Sequence, residues 1–391
     1  MSESPALFST KTTVRIAEGT MDQTELDRWH MERALELAER GRGYVEPNPP
    51  VGCVIARGAE VLAEGWHRFF GGPHAEVEAL RMAGHRAQGA TMYVTLEPCC
   101  HYGKTPPCTE AIIAAKIARV VVAREDPFPA VAGKGLAQLR QAGIQVECGL
   151  VEEKATALLA PYLKLVTRGR PWVIAKWAMT LDGKIATACG KSRWITSAEA
   201  RKIVHRIRGR VDAVLVGIRT VLADDPLLLA DPPGPRKPCR IVLDSAARLP
   251  LESRLVQTAS EGPVLVVTGP QAPSERKEAL TARGCEVLSF PEESWPDRLQ
   301  ALLEELGRRR MTNLLVEGGA EVLGTFFALQ EVDEVHAFVA PKIFGGKDAP
   351  GAVGGTGVSL PEEAWLLDCP QVQRVGNDVY IWGRVSRRPS S

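Results

Sequence analysis

The stretch that decides how this chain is read runs from His74 to Cys108: His74-Ala75-Glu76, then Thr95-Leu96-Glu97-Pro98-Cys99, then Thr105-Pro106-Pro107-Cys108. One histidine and two cysteines are the three protein ligands that a catalytic zinc takes, with a fourth position kept for water. The metal pulls the pKa of that water down towards ~7, so hydroxide becomes available at neutral pH. Glu76 stands two residues after the histidine. A carboxylate there can take the proton of the water and pass it to a leaving amine.

The pattern HxE…PC…C is the arrangement of hydrolytic zinc deaminases, in which the glutamate is a general acid/base and not a ligand. A scatter of buried cysteines beside a surface histidine would explain one of these residues alone. It does not explain three motifs together, each beside a helix-start signal. The usual nucleoside or nucleic-acid deaminase carries Cys-x-x-Cys. Here eight residues separate Cys99 from Cys108, and this insert brings polar groups within reach of a substrate.

Outward from the motif, Asp22 with Glu25 predicts a capping box, and Leu26, Trp29, Ala34, Leu37 and Ala38 a helix that Gly41 and Gly43 stop. Pro47-Asn48-Pro49-Pro50 is a turn into a strand over 51–56, with a return at 61–64. Asn48 at that strand mouth is placed either to bond a base edge or simply to shape the turn. His74 opens a helix and Pro107 another, so His74, Glu76 and Cys108 all fall in first turns, where exposed N–H groups suit an anion. Strands over 91–96, 120–123 and 144–146, with a helix around 136–141, complete a sheet with helices on both faces.

Helical periodicity over 151–168 ends at Arg168-Gly169-Arg170-Pro171. The expected division is a tail at 1–21, a first domain at 22–150, a linker helix at 151–170 and a second domain at 171–391. The second domain reads as alternating strands and helices, with strands at 172–178, 211–217, 240–244, 264–268, 286–289, 313–317, 335–340 and 379–382. Helices are expected over 198–209, 295–309 and 320–328. Val316-Glu317-Gly318-Gly319 before the last helix offers a phosphate-binding turn, although Gly-Gly there also serves as plain turn chemistry. No G-x-G-x-x-G is present. Lys176 inside an apolar strand and Arg208 at a helix end have ordinary structural readings too.

Bulk properties narrow the class. The chain has 391 residues, enough for two cores, with 45% hydrophobic and 24% charged residues and a formal net charge of +1. That balance gives no reason to expect a nucleic-acid partner. Nine cysteines, an odd and scattered set, are not a disulfide framework. A reducing, cytoplasmic location is expected. Residues 1–21 lack an apolar signal core, and Glu3 and Glu18 speak against a transit peptide. No segment reads as membrane-spanning.

On these motifs the chain from about 22 to 385 resembles the RibD family of bifunctional riboflavin-biosynthesis proteins. The first half does so through Pro47-Asn48-Pro49-x-Val51-Gly52, Gly72-Pro73-His74-Ala75-Glu76 and Thr95-Leu96-Glu97-Pro98-Cys99 with the long insert to Cys108. The second half does so through Lys176, Leu181-Asp182-Gly183, Trp194-Ile195-Thr196, Thr220 to Pro226, Asp244-Ser245 and Val316 to Gly319.

The resemblance implies an α/β chain: a cytidine-deaminase-like three-layer αβα domain, then a dihydrofolate-reductase-like α/β domain. It implies zinc on His74, Cys99 and Cys108, with Glu76 as proton shuttle and Asn48, His67, His101 and Lys104 lining the deaminase pocket. It further implies NADPH on Ala178, Trp194, Thr220, Asp224, Ser245, Gly319, Ala320, Glu321, Val322, Leu323, Gly324 and Thr325. Ser192, Arg208, Leu228 and Glu317 would hold substrate, with Lys176 at the reacting end. The implied substrate is a small phosphoribosylaminopyrimidine, deaminated from a 2,5-diaminopyrimidinone to the uracil form and then reduced to the ribityl side chain. A homo-oligomer is expected.

Two departures carry expectations of their own. The family places an Arg three residues after Leu228, where this chain has Asp231, so Arg236 or Lys237 is expected to supply the cation; Arg208 is expected to grip the 5′-phosphate. Cys100 stands where a Ser is usual and is expected to be a bystander. The competing readings are a single-activity deaminase with a non-catalytic second domain, and a closed structural zinc site with no use for Glu76.

Overall fold

The computed structural model describes residues 21–386 of the protein. The expected N-terminal tail at 1–21 lies, but for Met21, outside the described residues. Helix α1 (Gln23–Glu39) starts with the expected capping box: the Asp22 carboxylate accepts from the Glu25 N–H at 2.8 Å, and Glu25 accepts from the Asp22 N–H at 3.0 Å. There follow β1 (Gly52–Arg57), β2 (Glu60–Trp66), α2 (Ala75–Ala83), β3 (Thr91–Val94), α3 (Cys108–Ala114), β4 (Arg119–Val122), α4 (Lys134–Gln141), β5 (Gln145–Cys148) and α5 (Glu152–Arg168).

The five strands form one sheet in the order β2-β1-β3-β4-β5, antiparallel through β3 and parallel from β3 to β5. Period-two alternation divides their side chains between two cores. Cys53, Ile55, Met92 and Val94 face Ala79, Ile112 and Leu139 of α2, α3 and α4. Val54, Ala56, Tyr93 and Val121 face Met31, Leu37, Leu159 and Leu163 of α1 and α5. The helix expected as a linker is thus packed into the α1 side of the first sheet. Gly52 and Gly65 let helices approach this sheet closely: a Cβ on Gly52 would lie 1.9 Å from the Ala34 carbonyl, and one on Gly65 2.3 Å from that of Ala75.

The second unit contains β6 (Trp172–Thr180), α6 (Ala198–Arg208), β7 (Ala213–Gly217), α7 (Ile218–Asp224), β8 (Cys239–Leu243), α8 (Arg254–Gln257), β9 (Val264–Thr268), α9 (Ser274–Ala282), β10 (Glu286–Ser289), α10 (Trp295–Arg308), β11 (Asn313–Val316), α11 (Ala320–Ala328), β12 (Glu334–Ala340), β13 (Leu366–Val375) and β14 (Asp378–Ser386). Its nine-stranded sheet runs β10-β9-β8-β7-β11-β6-β12-β14-β13 and is parallel up to β12. The last two strands are antiparallel. β7, β8 and β9 are buried along their whole length, as strands covered by helices on both faces must be. Ala213 and Leu215 point to the α10/α11 side, and Val214 and Val216 to the α8/α9 side.

The two units meet through paired charges. Lys164 of α5 is 6% exposed and reaches Asp333 at 2.6 Å and Glu331 at 3.5 Å. Arg236 bonds the Glu46 carbonyl at 3.2 Å and pairs with Asp212. Among the described residues no helix is long and apolar enough to cross a membrane.

Candidate functional site

The first site lies where α2 and α3 begin. His74 is the residue that caps α2, yet its ring makes no capping bond, because it is turned towards the two cysteines. His74 Nδ1 stands 3.5 Å from Cys99 Sγ and 3.3 Å from Cys108 Sγ, and the three ligand atoms lie within 4.8 Å of one another. Tetrahedral zinc with Zn–N of ~2.0 Å and Zn–S of ~2.3 Å requires N···S spacings of about 3.5 Å. The donor set therefore fits zinc in kind and in spacing. Among the described residues no other three His, Cys, Asp or Glu groups gather in this way.

The electrostatics agree with a metal seat. The Cys99 thiol is drawn below its ordinary pKa, first by the hydrogen bond from Cys108 and then, against burial, by His74 and the Cys108 N–H. A thiolate is thus already favoured, and a bound cation would complete the deprotonation. Thr105 Oγ1 sits 3.5 Å from His74 Nε2 and holds the ring with Nδ1 towards the sulfurs. Glu76 is 3% exposed, and burial pushes its carboxyl up to about 6. A divalent charge beside it would draw that value down again. Cys100 turns away, with Sγ 3.7 Å from the Ala130 carbonyl, and is not part of the ligand group.

A cleft of about 580 Å³ opens on this group and is lined by Asn48, His67, His101 and Lys104 as well as His74, Glu76 and Cys99. His67 Nδ1 donates to the Pro73 carbonyl at 3.0 Å, and burial holds its pKa below the ordinary value. The ring is therefore neutral, and its Nε2 accepts from Asn48 Nδ2 at 3.3 Å. That leaves the Asn48 amide oxygen as an acceptor without a partner among the described residues. Lys104 Nζ lies 3.8 Å over the Phe70 ring.

The motif reading did not identify Glu97 as functional. Its buried carboxylate accepts from the N–H groups of Asp126, Gly133, Gly135 and Leu136 at 2.8–3.2 Å. It thereby ties the Pro98-Cys99 turn to the loop that carries Phe128 and to the start of α4. Arg310, which comes from the second unit, also lines this cleft and was not foreseen.

The second site is a cleft of about 1130 Å³ beyond the carboxyl ends of β6, β7, β8 and β11, where ligands bind in open parallel sheets. It is lined by Lys176, Ala178, Ser192, Trp194, Arg208, Thr220, Asp224, Leu228, Ser245 and Glu317, and by Gly319 to Leu323. Gly324 and Thr325 do not line it. They fall on the second turn of α11: Gly324 packs against Gly354, where a Cβ would come within 2.3 Å of the carbonyl, and the Thr325 hydroxyl bonds the Glu321 carbonyl at 2.9 Å.

The cleft fits a pyridine dinucleotide. α11 begins without a side-chain cap, so its first N–H groups are open to an anion. Among the described residues a Cβ on Gly319 would meet only Thr220 Oγ1, at 3.5 Å, which leaves room for a cofactor to approach the backbone. Gly318, at φ +125, has a backbone that L side chains rarely adopt. Trp194, 62% exposed, offers a flat ring at the rim with the Arg201 guanidinium 4.3 Å over it.

Glu317, the residue just before this glycine pair, is shared by two cations. Arg208 meets it through Nε at 2.5 Å and Nη2 at 2.8 Å, and Lys176 Nζ stands at 3.3 Å. Burial works against the carboxylate, but Arg208 and Lys176 outweigh it and hold the pKa down to about 2. Glu317 already occupies the Nε–Nη2 edge of Arg208, the residue expected to grip a phosphate in bidentate fashion. The expectation for Arg236 and Lys237 is corrected. Arg236 is engaged with Glu46 and Asp212 at the junction of the units, and neither residue lines the cleft, whereas Asp231 does.

Residues 24–124 match the family model described as the cytidine and deoxycytidylate deaminase zinc-binding region, and residues 171–381 match that of the RibD C-terminal domain. The chain is 42% identical over 359 residues to the riboflavin biosynthesis protein RibD of Aquifex aeolicus, covering 92% of this chain and 98% of that protein. It is 42% identical over 373 residues to the protein of the same description from Escherichia coli K12, covering 91% and 98%. Among solved structures it resembles Acinetobacter baumannii RibD at 37% identity and a TM-score of 0.83, over 93% of this chain and 100% of that one. It also resembles a diaminohydroxyphosphoribosylaminopyrimidine deaminase/5-amino-6-(5-phosphoribosylamino)uracil reductase from Thermotoga maritima, at 36% identity and a TM-score of 0.81 over 93% and 100%.

Proposed function

The chain belongs to the RibD family of riboflavin biosynthesis proteins, and on that premise we propose how its two sites divide the work of a bifunctional deaminase and reductase. Both halves are present: a zinc-binding deaminase and an NADPH-using reductase. The reading of a second domain without catalysis is not favoured, because its cleft keeps both a glycine cradle and, beginning at the residue before it, the Lys176–Glu317–Arg208 cluster. We assign deamination to residues 22–150, reduction to 171–391, and the connection to 151–170. The substrate is a small pyrimidine; its finer identity is proposed as 2,5-diamino-6-(5-phosphoribosylamino)pyrimidin-4(3H)-one. No nucleic-acid or membrane partner is proposed. A homo-oligomer in the cytoplasm is.

In the first site His74, Cys99 and Cys108 would hold zinc, which when bound supplies a Lewis acid that lowers the pKa of water to about 7. The Asn48 amide oxygen, fixed by the bond to neutral His67, accepts from an N–H of the pyrimidinone and turns its C2 towards the metal ligands. His101 and Lys104 close the cleft around the rest of the substrate. Glu76 takes a proton from the attacking water and delivers it to the nitrogen leaving C2. One C–N bond is replaced by C=O, and ammonia departs. A carboxylate buried beside the ligands, at the start of the same helix, is the observation that carries this reading.

In the second site the residues from Ala178 to Leu323 that line the cleft would hold NADPH, which supplies hydride to C1′ of the opened ribose. Ser192, Leu228 and the Nη1 side of Arg208 orient the sugar. Lys176, held by Glu317, supplies the proton that the nitrogen next to C1′ gains as the carbon is reduced.

The test is purified protein with zinc, NADPH and the phosphoribosylaminopyrimidine, followed by ammonia assay and by absorbance at the NADPH band. Ammonia release followed by NADPH loss is expected. Ammonia without NADPH loss would remove the reductase assignment.

A further inference from the structure

Among the described residues the deaminase cleft has two Lys or Arg residues on its walls, and they come from different domains. Lys104 belongs to the insert between Cys99 and Cys108, and Arg310 follows α10 of the reductase unit. The acidic groups on the same walls are engaged or committed. Glu97 accepts four backbone N–H groups, and Asp126 accepts from the Tyr162 hydroxyl at 3.0 Å and the Phe128 N–H at 2.9 Å. Glu76 is buried against the metal ligands. The Arg310 side chain makes no hydrogen bond or ion pair among the described residues.

The base from which this side chain projects is firmly held. The Arg310 N–H bonds the Gly307 carbonyl at 2.8 Å, and the backbone turns out of the helix at φ +60. Gly307 lies so close to the domain junction that a Cβ would come within 1.7 Å of the Gly169 carbonyl. Arg170 pins the same helix through Glu304 at 2.7 Å. A cation that ion pairs could have neutralised is instead held, unpaired, at the wall of another domain's cleft.

A phosphoribosyl substrate brings a dianion into that cleft, and a dianion leaving water needs charged donors. We propose that Arg310 of the reductase domain binds the 5′-phosphate of the deaminase substrate together with Lys104, so that the second domain completes the first domain's site. This rests on the phosphoribosyl substrate proposed above. Binding energy gained at the phosphate, remote from C2, would favour the phosphorylated compound over its nucleoside.

The experiment measures deaminase KM and kcat on the full-length protein and on Arg310→Ala and Arg310→Lys, with the phosphorylated substrate and with its dephosphorylated nucleoside. Zinc per chain and reductase turnover of the deaminated substrate serve as fold controls. Arg310→Ala is expected to raise KM for the phosphorylated compound about ten- to a hundredfold, the loss of a charged hydrogen bond. It should leave KM for the nucleoside within about twofold, and Arg310→Lys should recover part of the loss. An unchanged KM for the phosphorylated compound overturns the proposal, as does an equal loss with both compounds. A parent protein that shows no preference for the phosphorylated compound overturns the phosphoribosyl reading along with it. Should Arg310→Ala fail the fold controls, the same comparison of compounds on Arg310→Lys decides.

Discussion

At the scale of single residues, the deaminase rests on one carboxylate and the reductase cleft is organised by another. Glu76→Gln keeps the shape but cannot carry the proton. Deamination is expected to fall by about 10²–10⁴ while zinc content and reduction of the deaminated substrate stay at parent levels; loss of zinc together with activity would make Glu76 a structural residue. For Glu317 the sign follows from its depressed pKa. A carboxyl held down to about 2, against an ordinary 4.5, contributes stability that is present above about pH 4.5 and is lost as pH falls through about 2. Urea midpoints of the parent and of Glu317→Gln should therefore differ at pH 7 and converge between pH 4.5 and 2. A constant gap would contradict the Lys176–Glu317–Arg208 account. The zinc residues were legible in the sequence because His74 and Cys108 lie at helix starts and Cys99 in a Pro98 turn after β3, each announced by Pro or turn chemistry. The partners of Glu317 were not, since Arg208 is 109 positions away and only the folded sheet brings them together.

At the scale of elements, close packing sets the geometry that the metal needs. β1 can lie against α1 only because Gly52 has no side chain. Gly52→Ala should separate them and cost about 1–3 kcal/mol, seen as a lower unfolding midpoint of the zinc-bound protein; an unchanged midpoint would mean that α1 yields freely. Most elements were readable from periodicity. α1 announced itself by Asp22 and Glu25, and β7 to β9 by continuous Val, Leu and Ile. α9 was missed because its sequence is polar, with Leu280 as its buried residue. β13 was missed because it is an edge strand, exposed at most positions, with no apolar alternation to read. The short α7 hid inside what reads as a turn before Asp224-Asp225-Pro226.

At the scale of the whole molecule, the two halves are joined by buried charge as well as by the chain. Lys164→Met would leave Asp333 without its cation, although the Val173 N–H still donates to it at 2.7 Å. A loss of about 3 kcal/mol is expected in urea unfolding, larger than a surface pair gives, and a loss under about 1 kcal/mol would show that water reaches the pair. Pairing across the junction could not be read from the sequence, because Lys164 looks like one more charge on an amphipathic helix and Arg236 like a loop cation. The placement of α5 has a further consequence for how such a gene can be divided. Leu159 and Leu163 fill the same layer as Met31 and Leu37. A fission point near codon 150 would strip a wall from the first product and leave an apolar helix trailing from the second. A cut at Gly169 hands each daughter gene an intact layer. A chimaera joined from two parents should likewise take α5 from the parent that gives α1.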